Sequence, residues 1–348
     1  MNPLEGLRVL EYDSPLTAHA GRLLWEMGAD VVLVEPPGGS ALRRKPAAFA
    51  HHHAGKRAVA SDETLLGTAD VVLEGTLPGD VRPASVPPRA IHVVVSPFGT
   101  TGPRSEWQAS DLVVSALGGL VSVIGWPDRP PRAAPADQAW HLASLNAAIG
   151  VLLALATGRP QRVEVSALEC VAASLEAGAI SYIHADARVG RSGIEHPLAP
   201  HRLFRARDGW VAGGLGGNPR MWDGLLVWMA ETGEEADLGT DAMRDPASLP
   251  ENRAHVFDVS ERFTAQRTRD ELFHEGQRRR LPWAAVLTAD EVAKSPQLEA
   301  RGALVEVEYE GRVATDVAPP LRRPGARRVA PAAASAADWL GSYDPPAR

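Results

Sequence analysis

The sequence contains a single cysteine, Cys170, so one chain cannot close an internal disulfide, and this usage fits a reducing compartment. Basic residues are also outnumbered, since 36 Lys and Arg face 43 Asp and Glu, and a net charge of -7 gives no case for nucleic-acid binding. The opening residues lack the pattern of a signal peptide, and the longest apolar run, Ala147–Ala156, is shorter than a bilayer span. We therefore expect a cytoplasmic protein that binds neither nucleic acid nor a membrane.

A strand–helix–strand unit opens the chain and predicts an α/β fold. Leu7–Glu11 and Ala29–Val34 are apolar runs typical of buried strands, and Leu16–Met27 between them has its apolar residues at helical spacing. Further strands are predicted at Ala69–Leu73, Ile91–Val95 and Arg162–Val165, so we expect a doubly wound, Rossmann-like parallel sheet. The fingerprint G-x-G-x-x-G is absent after the first strand, which argues against NAD or FAD.

A Gly- and Pro-rich loop, Glu35–Ser40, follows the second predicted strand. Ligands of such sheets bind at the carboxyl ends of the strands, and Arg43, Arg44 and Lys45 come directly after this loop. These cations suit a phosphate group, and Lys56 adds another further along the chain. A solvated basic turn is the competing interpretation of the same residues.

Two more clusters raise ligand hypotheses. The glycine-rich run Val211–Gly217 brings backbone N–H groups close to a ligand if it is a loop, although a flexible hairpin is the simpler local interpretation. The histidines His51–His53 suggest a metal, but no acidic or cysteine partner stands at a recognisable ligand spacing, so we expect no metal site. The glycines of the first cluster are Gly213, Gly214, Gly216 and Gly217.

One carboxylate, Asp137, stands where a long apolar helix is predicted to begin, and Gly158 is predicted to end that helix. Aspartate is a favoured N-cap residue because its carboxylate accepts backbone N–H bonds, so a structural cap is one interpretation. A reactive carboxylate at a cleft is the other. His141 follows one helical turn later, near the same face, and is either a substrate-pocket residue or a core histidine.

Seven stretches, taken in their common order, carry a resemblance to a known family. The chain resembles the family III (CaiB/BaiF-type) CoA-transferases, which include formyl-CoA and carnitine CoA-transferases and, as relatives, alpha-methylacyl-CoA racemases. The resemblance extends from about Leu4 to about Val307, nearly the whole chain. The matching stretches are LEGLRVLEYDSPLTAHAGRLLWEMGADVVLVEPPGG (Leu4–Gly39), GKRAVASD (Gly55–Asp62), FGTTGP (Phe98–Pro103), SDLVVSALGGLVSVIG (Ser110–Gly125), ADQAWHLASLNAAIGVLLAL (Ala136–Leu155), HPLAPHRLFRARDGWVAGGLG (His196–Gly216) and LPWAAVLTADEVAKSPQLEARGALVEV (Leu281–Val307).

The resemblance implies a fold, an assembly and a domain division. It implies a Rossmann-like large domain over residues 1–190 that carries the nucleophile. A smaller α+β domain with the glycine loop and linkers is implied over 191–312, and a C-terminal return to the large domain with a tail over 313–348. Two chains would be threaded through each other as an interlocked homodimer.

The resemblance also implies a chemistry. The family's nucleophile is the aspartate before the long helix, which is Asp137 here, and it would form first a mixed anhydride with the acyl group and then an aspartyl-CoA thioester. Coenzyme A is then a co-substrate, an acyl-CoA and a carboxylic acid are the partners, and neither a metal nor a tightly bound cofactor is implied. The run Gly213–Gly217 matches the family's mobile glycine loop and would shield the anhydride from water.

Other site residues are assigned from the resemblance in the same way. CoA would lie against the loop after the second strand, with basic side chains near its phosphates and its adenine end at the position of Gly75 and Thr76, where this chain departs from the family's usual residues. The residues so assigned to CoA are Pro36, Arg43, Arg44, Lys56, Gly75, Thr76 and Phe98. Those assigned to an acyl pocket are Trp126, Trp140 and His141.

Two alternatives stay open. The racemases carry a histidine base where this chain has Ser110, so an acyl-CoA racemase or isomerase would need His141 in its place. A non-catalytic or partner-requiring subunit of the same family is the other, because Gly75 and Thr76 replace the family's usual Asn-Phe-Arg/His stretch.

Overall fold

The computed structural model describes residues 2–53, 55–60, 63–196, 201–215, 219–244, 249–309 and 312–318. These residues form two compact units, the first within 2–122, 132–185 and 295–318 and the second within 123–131 and 186–294. The division predicted from the sequence, at 190 and 312, stays a prediction. The Ala/Pro/Arg-rich tail beyond Arg322, which we expect to be poorly ordered, lies outside the described residues.

Eleven strands and fourteen α-helices are present in the described part of the chain. The strands are β1 (Arg8–Tyr12), β2 (Asp30–Glu35), β3 (Arg57–Ala60), β4 (Val71–Gly75), β5 (Ile91–Ser96), β6 (Arg162–Ser166), β7 (His201–Ala206), β8 (Gly209–Gly214), β9 (Ala284–Ala285), β10 (Leu304–Tyr309) and β11 (Arg312–Val317). The helices are α1 (Ala18–Glu26), α2 (Pro46–His53), α3 (Glu63–Leu66), α4 (Asp111–Leu117), α5 (Leu120–Val123), α6 (Gln138–Thr157), α7 (Ala167–Ser174), α8 (Ser181–Ala185), α9 (Pro219–Ala230), α10 (Asp241–Arg244), α11 (Leu249–Ala265), α12 (Arg269–Arg278), α13 (Ala289–Ala293) and α14 (Pro296–Ala300).

The first unit is built on a six-stranded parallel sheet in the order β3-β2-β1-β4-β5-β6. This is the order of doubly wound dinucleotide-binding folds, in which the strand sequence reverses beside β1. Leu10 pairs with Val32 on one side and Val72 on the other, and all three are fully buried. The predicted Rossmann-like class is therefore confirmed, and the predicted strands lie within two residues of β1, β2, β4, β5 and β6.

Helix α6 packs against this sheet. Ala147 and Ala154 are buried on its inner side, and a side chain at Gly150 would lie 2.7 Å from Val163 Cγ1, so the glycine lets α6 approach β6 closely. The helix ends at Gly158, whose φ of 65° is the left-handed conformation that favours glycine at a helix end.

By length and composition, α6 is also able to cross a membrane, which corrects the expectation that no apolar segment is long enough. The prediction counted only the run Ala147–Ala156, whereas small and weakly polar residues extend the helix to 20 residues with a mean hydropathy of 1.6. Because 44% of that window is buried inside the protein, and core helices pass the same test, this is weak grounds for a membrane span.

The second unit contains the antiparallel sheet β7-β8-β9 with α9, α11 and α12 around an aromatic core. Phe204 and Trp283 stack there with ring centres 5.9 Å apart, and Trp283 Nε1 donates a hydrogen bond to the Gly214 carbonyl. The described part of the predicted glycine loop is consequently a strand: Gly213 pairs with Arg202, and Gly214 pairs with His201. The glycines are needed because a side chain at Gly213 would lie 3.0 Å from the Trp283 ring.

The apolar sequence Ala167–Ile183 predicts one helix, but the structure interrupts it. It consists of α7, a π-helical turn over Glu176–Ile180, and α8. Gly178 has the non-helical backbone angles φ -97° and ψ -117°, so the apolar pattern continues across a break that periodicity alone does not reveal.

Candidate active site

Asp137 is the exposed N-cap residue of α6, and it lies in a tight turn. Its φ of -91° and ψ of 65° are those of an inverse γ-turn, and the Gln138 N–H donates to the Ala136 carbonyl at 3.1 Å. Ala136 has a φ of 58°, in the left-handed region that costs a residue with a side chain about 1–2 kcal/mol. Backbone strain of this kind is concentrated at functional sites, and here it directly precedes the residue predicted to react.

The N-terminus of α6 is capped by Asp111 of α4. Asp111 Oδ1 accepts the N–H of Ala139 at 2.7 Å and that of Trp140 at 3.2 Å, whereas Asp137 makes no side-chain cap bond. Together with the turn that holds Gln138, these bonds satisfy the helix's first donors without the Asp137 carboxylate. The prediction that Asp137 opens the helix is confirmed. The interpretation of its carboxylate as the cap is wrong, because the carboxylate of Asp111, 28 residues before Ala139, takes that role.

Asp137 lines a cavity of about 280 Å³ in the first unit. The predicted residues Trp140 and His141 line the same cavity, so the structure brings these three together. Most of the remaining wall comes from the loops after β1 and β2 and from α1 and α2. The lining residues are Asp13, Ser14, Pro15, Ala18, His19, Ser40, Ala41, Leu42, Lys45, His52, His53, Asp137, Trp140 and His141.

Three imidazoles of this cavity are in mutual contact. The His141 ring centre lies 5.1 Å from that of His19 and 5.8 Å from that of His52. Burial lowers the pKa of His19 to about 4 and that of His52 to about 3, and positive charge on neighbouring groups acts in the same direction. Both rings are therefore neutral at pH 7 and offer one donor and one acceptor each.

A second cavity, of about 650 Å³, lies at the carboxyl ends of β2 and β4. Pro36, Arg43 and Arg44 line one side of it, and Leu77–Asp80 from the loop after β4 line the other. Asp13 lines both cavities, so they are neighbours at one edge of the sheet. This is the crevice in which doubly wound sheets bind ligands, and the predicted loop after β2 forms part of it.

The two arginines of this cavity differ in how they are held. Arg43 is bound by Glu35 through Nε–Oε1 at 2.7 Å and Nη2–Oε2 at 3.0 Å, and its guanidinium lies 4.3 Å from the ring centre of Phe49. Arg44 is exposed at the end of the short 3-10 turn Ala41–Arg44. One cation is thus fixed by a bidentate partner, and the other extends into solvent at the cavity wall.

Asp80 is a further carboxyl group in the wall of the second cavity. It accepts hydrogen bonds from Ser14 Oγ at 2.7 Å and from the Leu77 N–H at 2.8 Å. Burial raises the pKa of Asp80 to about 6 even though these bonds lower it.

The predicted residues Gly75 and Thr76 precede this turn without lining either cavity, and a side chain at Gly75 would lie 2.1 Å from Ser14 Oγ.

Lys56 is enclosed in a buried ion pair with Glu11. Its Nζ lies 2.6 Å from Glu11 Oε2 and donates to the Ala18 carbonyl at 3.1 Å, and both charged side chains are 0% exposed. Burial raises the pKa of Glu11 to about 7, although Lys56 opposes the shift. This geometry corrects the expectation that Lys56 lies near a bound phosphate, because its ammonium does not reach solvent.

The remaining predicted site residues lie elsewhere. Phe98 is half-buried and packs against the core of the first unit. Trp126 belongs to the second unit, where it is 38% exposed and its ring lies against the backbone of Gly193. Gly216 and Gly217 lie outside the described residues.

Asp13, His19, Asp80 and Asp111 are site residues that the sequence analysis missed. A signal existed for Asp13, which follows β1 directly and so stands at the ligand-binding edge of the sheet. For the others the decisive contact is between distant segments. Ser110 accepts the Val113 N–H at 3.4 Å as the N-cap of α4, so the residue at the racemases' histidine position has a structural role here.

A doubly wound sheet, an uncommitted carboxylate at a helix start and an arginine-lined crevice at the strand ends together fit an α/β enzyme with an anionic ligand. The comparison with protein families makes this class specific: CoA-transferase family III matches residues 4–334, and the chain belongs to this family. It is therefore a CoA-transferase, as the resemblance in the sequence predicts.

Individual relatives agree with this assignment. The chain is 30% identical over 334 residues to the succinyl-CoA:(R)-benzylsuccinate CoA-transferase subunit BbsE of Thauera aromatica, an alignment that covers 84% of this chain and 81% of the relative. It is 27% identical to the succinate–glutarate CoA-transferase of Agrobacterium fabrum, over 92% and 89% of the two chains. The fold matches a CaiB/BaiF family protein from Brucella suis with a TM-score of 0.79 and 26% identity over 94% of each chain.

Proposed function

We propose that this enzyme transfers CoA from an acyl-CoA to a carboxylic acid with Asp137 as the nucleophile. The observation that carries the proposal is the carboxylate of Asp137, which is exposed at a cavity and is released from capping by Asp111. A carboxylate that accepts no cap bonds keeps its lone pairs for attack on a carbonyl carbon.

The reaction balances without a metal, a redox partner or a net proton. Asp137 attacks the thioester carbonyl, the C–S bond breaks, and an anhydride and CoA thiolate result. The thiolate attacks the aspartyl carbonyl, which gives the aspartyl-CoA thioester and releases the donor acid. The acceptor carboxylate then attacks the aspartyl carbonyl and expels the thiolate, which gives a second anhydride. The thiolate attacks the acceptor's carbonyl in this anhydride, which forms the new acyl-CoA and regenerates Asp137.

CoA is assigned to the cavity between the loops after β2 and β4. Its lining by Pro36, Arg43 and Arg44 supports this, since phosphate groups bind well to guanidinium groups. We expect Arg44→Ala to raise the KM for acyl-CoA about tenfold and to leave kcat nearly unchanged, because a distant phosphate contact contributes equally to ground and transition states. An unchanged KM would contradict this assignment of the carrier.

The acids are proposed to be dicarboxylates. The relatives named above carry succinate, benzylsuccinate or glutarate in their names. Lys45, Ser14 and His141 in the wall of the Asp137 cavity are able to donate hydrogen bonds to a second carboxylate. Comparison of kcat/KM for succinate with that for butyrate tests the class.

A homodimer in which the chains interlock is proposed as the assembly. Support comes from α6, whose outer side exposes Leu145, Ile149, Leu152 and Leu153 by 39–63%, an apolar stripe that a second chain would cover. Light scattering during size-exclusion chromatography is expected to give twice the chain mass. Because one relative is named as a subunit, transfer by the purified chain alone must also be measured, and its absence would favour a partner chain. The cytoplasmic location stays a prediction.

The nucleophile is tested by trapping. Incubation with an acyl-CoA and hydroxylamine, followed by peptide mass spectrometry, is expected to find a hydroxamate on Asp137. Asp137→Asn should lose transfer, whereas Asp128→Asn, at an exposed acid of the second unit, should retain it. A hydroxamate on another residue, or transfer by Asp137→Asn, would overturn the assignment.

A further inference from the structure

Three imidazoles that the proposed reaction does not use converge beside the Asp137 cavity. His19 is on α1, His51 and His52 are neighbours on α2, and one ring nitrogen of each lies within 4.8 Å of the others. In a tetrahedral zinc site the nitrogens lie about 2.0–2.1 Å from the metal, and hence about 3.4 Å from one another. Small side-chain rotations would therefore bring this group to ligand distances.

Two of the rings have a buried nitrogen without a hydrogen-bond partner. Among the residues that the structure describes, Nδ1 of His19 and Nδ1 of His52 have none. Buried polar atoms are nearly always satisfied, so an unpartnered ring nitrogen calls for a ligand. A metal ion satisfies it, since neutral imidazole is the ligating form.

The third ring is oriented by a carboxylate. His51 Nδ1 lies 2.9 Å from Asp316 Oδ1, and in the tautomer in which Nδ1–H donates to this carboxylate, Nε2 is left for a metal, as is common for ligating histidines. Arg22 Nη1 lies 2.8 Å from Asp316 Oδ2 and 2.7 Å from His51 Nδ1, and its Nε lies 2.7 Å from Glu26. The arginine charge is thus matched by two carboxylates.

We propose that His19, His51 and His52 form a site for a divalent transition-metal ion of the Zn²⁺ class. The nitrogen donors favour Zn²⁺, Co²⁺ or Ni²⁺ over Mg²⁺ and Ca²⁺, which prefer oxygen. His19 and His52 also line the cavity of Asp137, so an open fourth position would face it and take water or a carboxylate oxygen. The sequence expectation of no metal rested on the lack of a spaced partner, and the fold supplies His19. This proposal does not depend on the transfer reaction.

Binding is tested on the full chain without a polyhistidine tag, stripped with a chelator and titrated with Co²⁺ by visible absorption and with Zn²⁺ by calorimetry. We expect saturation at one ion per chain. His19→Ala and His52→Ala should each weaken binding by more than about tenfold, and Asp316→Asn, which removes the orienting carboxylate, by about tenfold. His255→Ala, at an exposed histidine of the second unit, is the matched control and should bind normally.

Two results would overturn the proposal: no saturable binding by the wild-type chain, or binding that both His19→Ala and His52→Ala retain. Circular dichroism identifies a variant that has failed to fold. Anomalous diffraction at the zinc edge from wild-type crystals needs no variant. A peak bounded by the three rings supports the site, and a peak elsewhere, or none, contradicts it.

Discussion

Replacing Asp111 with alanine tests whether the residue that caps α6 is distinct from the proposed nucleophile, Asp137. The substitution removes the acceptor of the Ala139 and Trp140 N–H groups, both on buried residues. A lost cap costs about 0.5–2 kcal/mol, and a bond to a charged acceptor contributes about 1.5–3 kcal/mol. The 2.7 Å bond to Ala139 should contribute its full free energy to stability, and the longer 3.2 Å bond to Trp140 should contribute less. Burial of the Asp111 carboxylate, which raises its pKa, offsets part of this stabilisation. We expect a loss of about 2 kcal/mol.

The matched variant is Asp137→Ala, at the N-cap position itself. Its carboxylate makes no cap bond and is exposed, so we expect a change in the free energy of unfolding within about 0.5 kcal/mol. Thermal unfolding followed by circular dichroism should lower Tm by about 4–8 °C for Asp111→Ala and by little for Asp137→Ala. Transfer assays should show the opposite order, with Asp137→Ala inactive and Asp111→Ala impaired. Equal destabilisation by the two variants, or a neutral Asp111→Ala, would refute this reasoning.

Two other substitutions test the buried groups of the first unit. Because burial raises the pKa of Asp80 from 3.8 to about 6, the stability due to its protonated form is full below the lower value and lost as the pH rises through the higher one. In urea unfolding, Asp80→Asn should therefore gain on the wild type from about pH 4 to about pH 6, by at most about 1.4 kcal/mol per pH unit, and the difference should then level off; a constant difference across this range would contradict the prediction. Gly21→Ala should cost more than about 3 kcal/mol, because its Cβ would lie 1.7 Å from Glu11 Oε2 in the buried pair with Lys56. The control Gly239→Ala has nothing within 4 Å and should change the free energy of unfolding by less than about 0.5 kcal/mol, so similar losses for the two would remove the packing argument.

Local periodicity predicted the framework of the first unit. The five strands recognised from apolar runs are present, and the loop after β2 lines a cavity at the reversal of strand order, as the topology of such sheets requires. These features depend on neighbours in the chain. Strand β3 was missed because its exposed and half-buried positions alternate over only four residues, Arg57–Ala60.

The roles of charged side chains were harder to predict, because each depends on contacts between distant segments. Lys56 is a cation of the kind that binds phosphate, but Glu11, 45 residues away, holds it inside the protein. The His51–His53 cluster lacks a partner in sequence and gains His19 only when α1 packs beside α2. Gly213 and Gly214 of the glycine run lie in strand β8, where Trp283 and His201 from distant segments occupy the space that side chains would fill.

The sequence correctly predicts that α6 begins at Asp137, but capping is not the reason for a carboxylate there. Composition and the resemblance both put a carboxylate at the start of α6, and capping alone would account for it. A carboxylate that caps is held by backbone N–H bonds, which stabilise its charge and weaken it as a nucleophile. In this chain Asp111 makes those bonds, and the turn at Ala136 fixes the backbone of Asp137 without using its side chain. The helix start thus orients the carboxylate while its oxygens stay uncommitted, which is what attack on a thioester carbonyl requires.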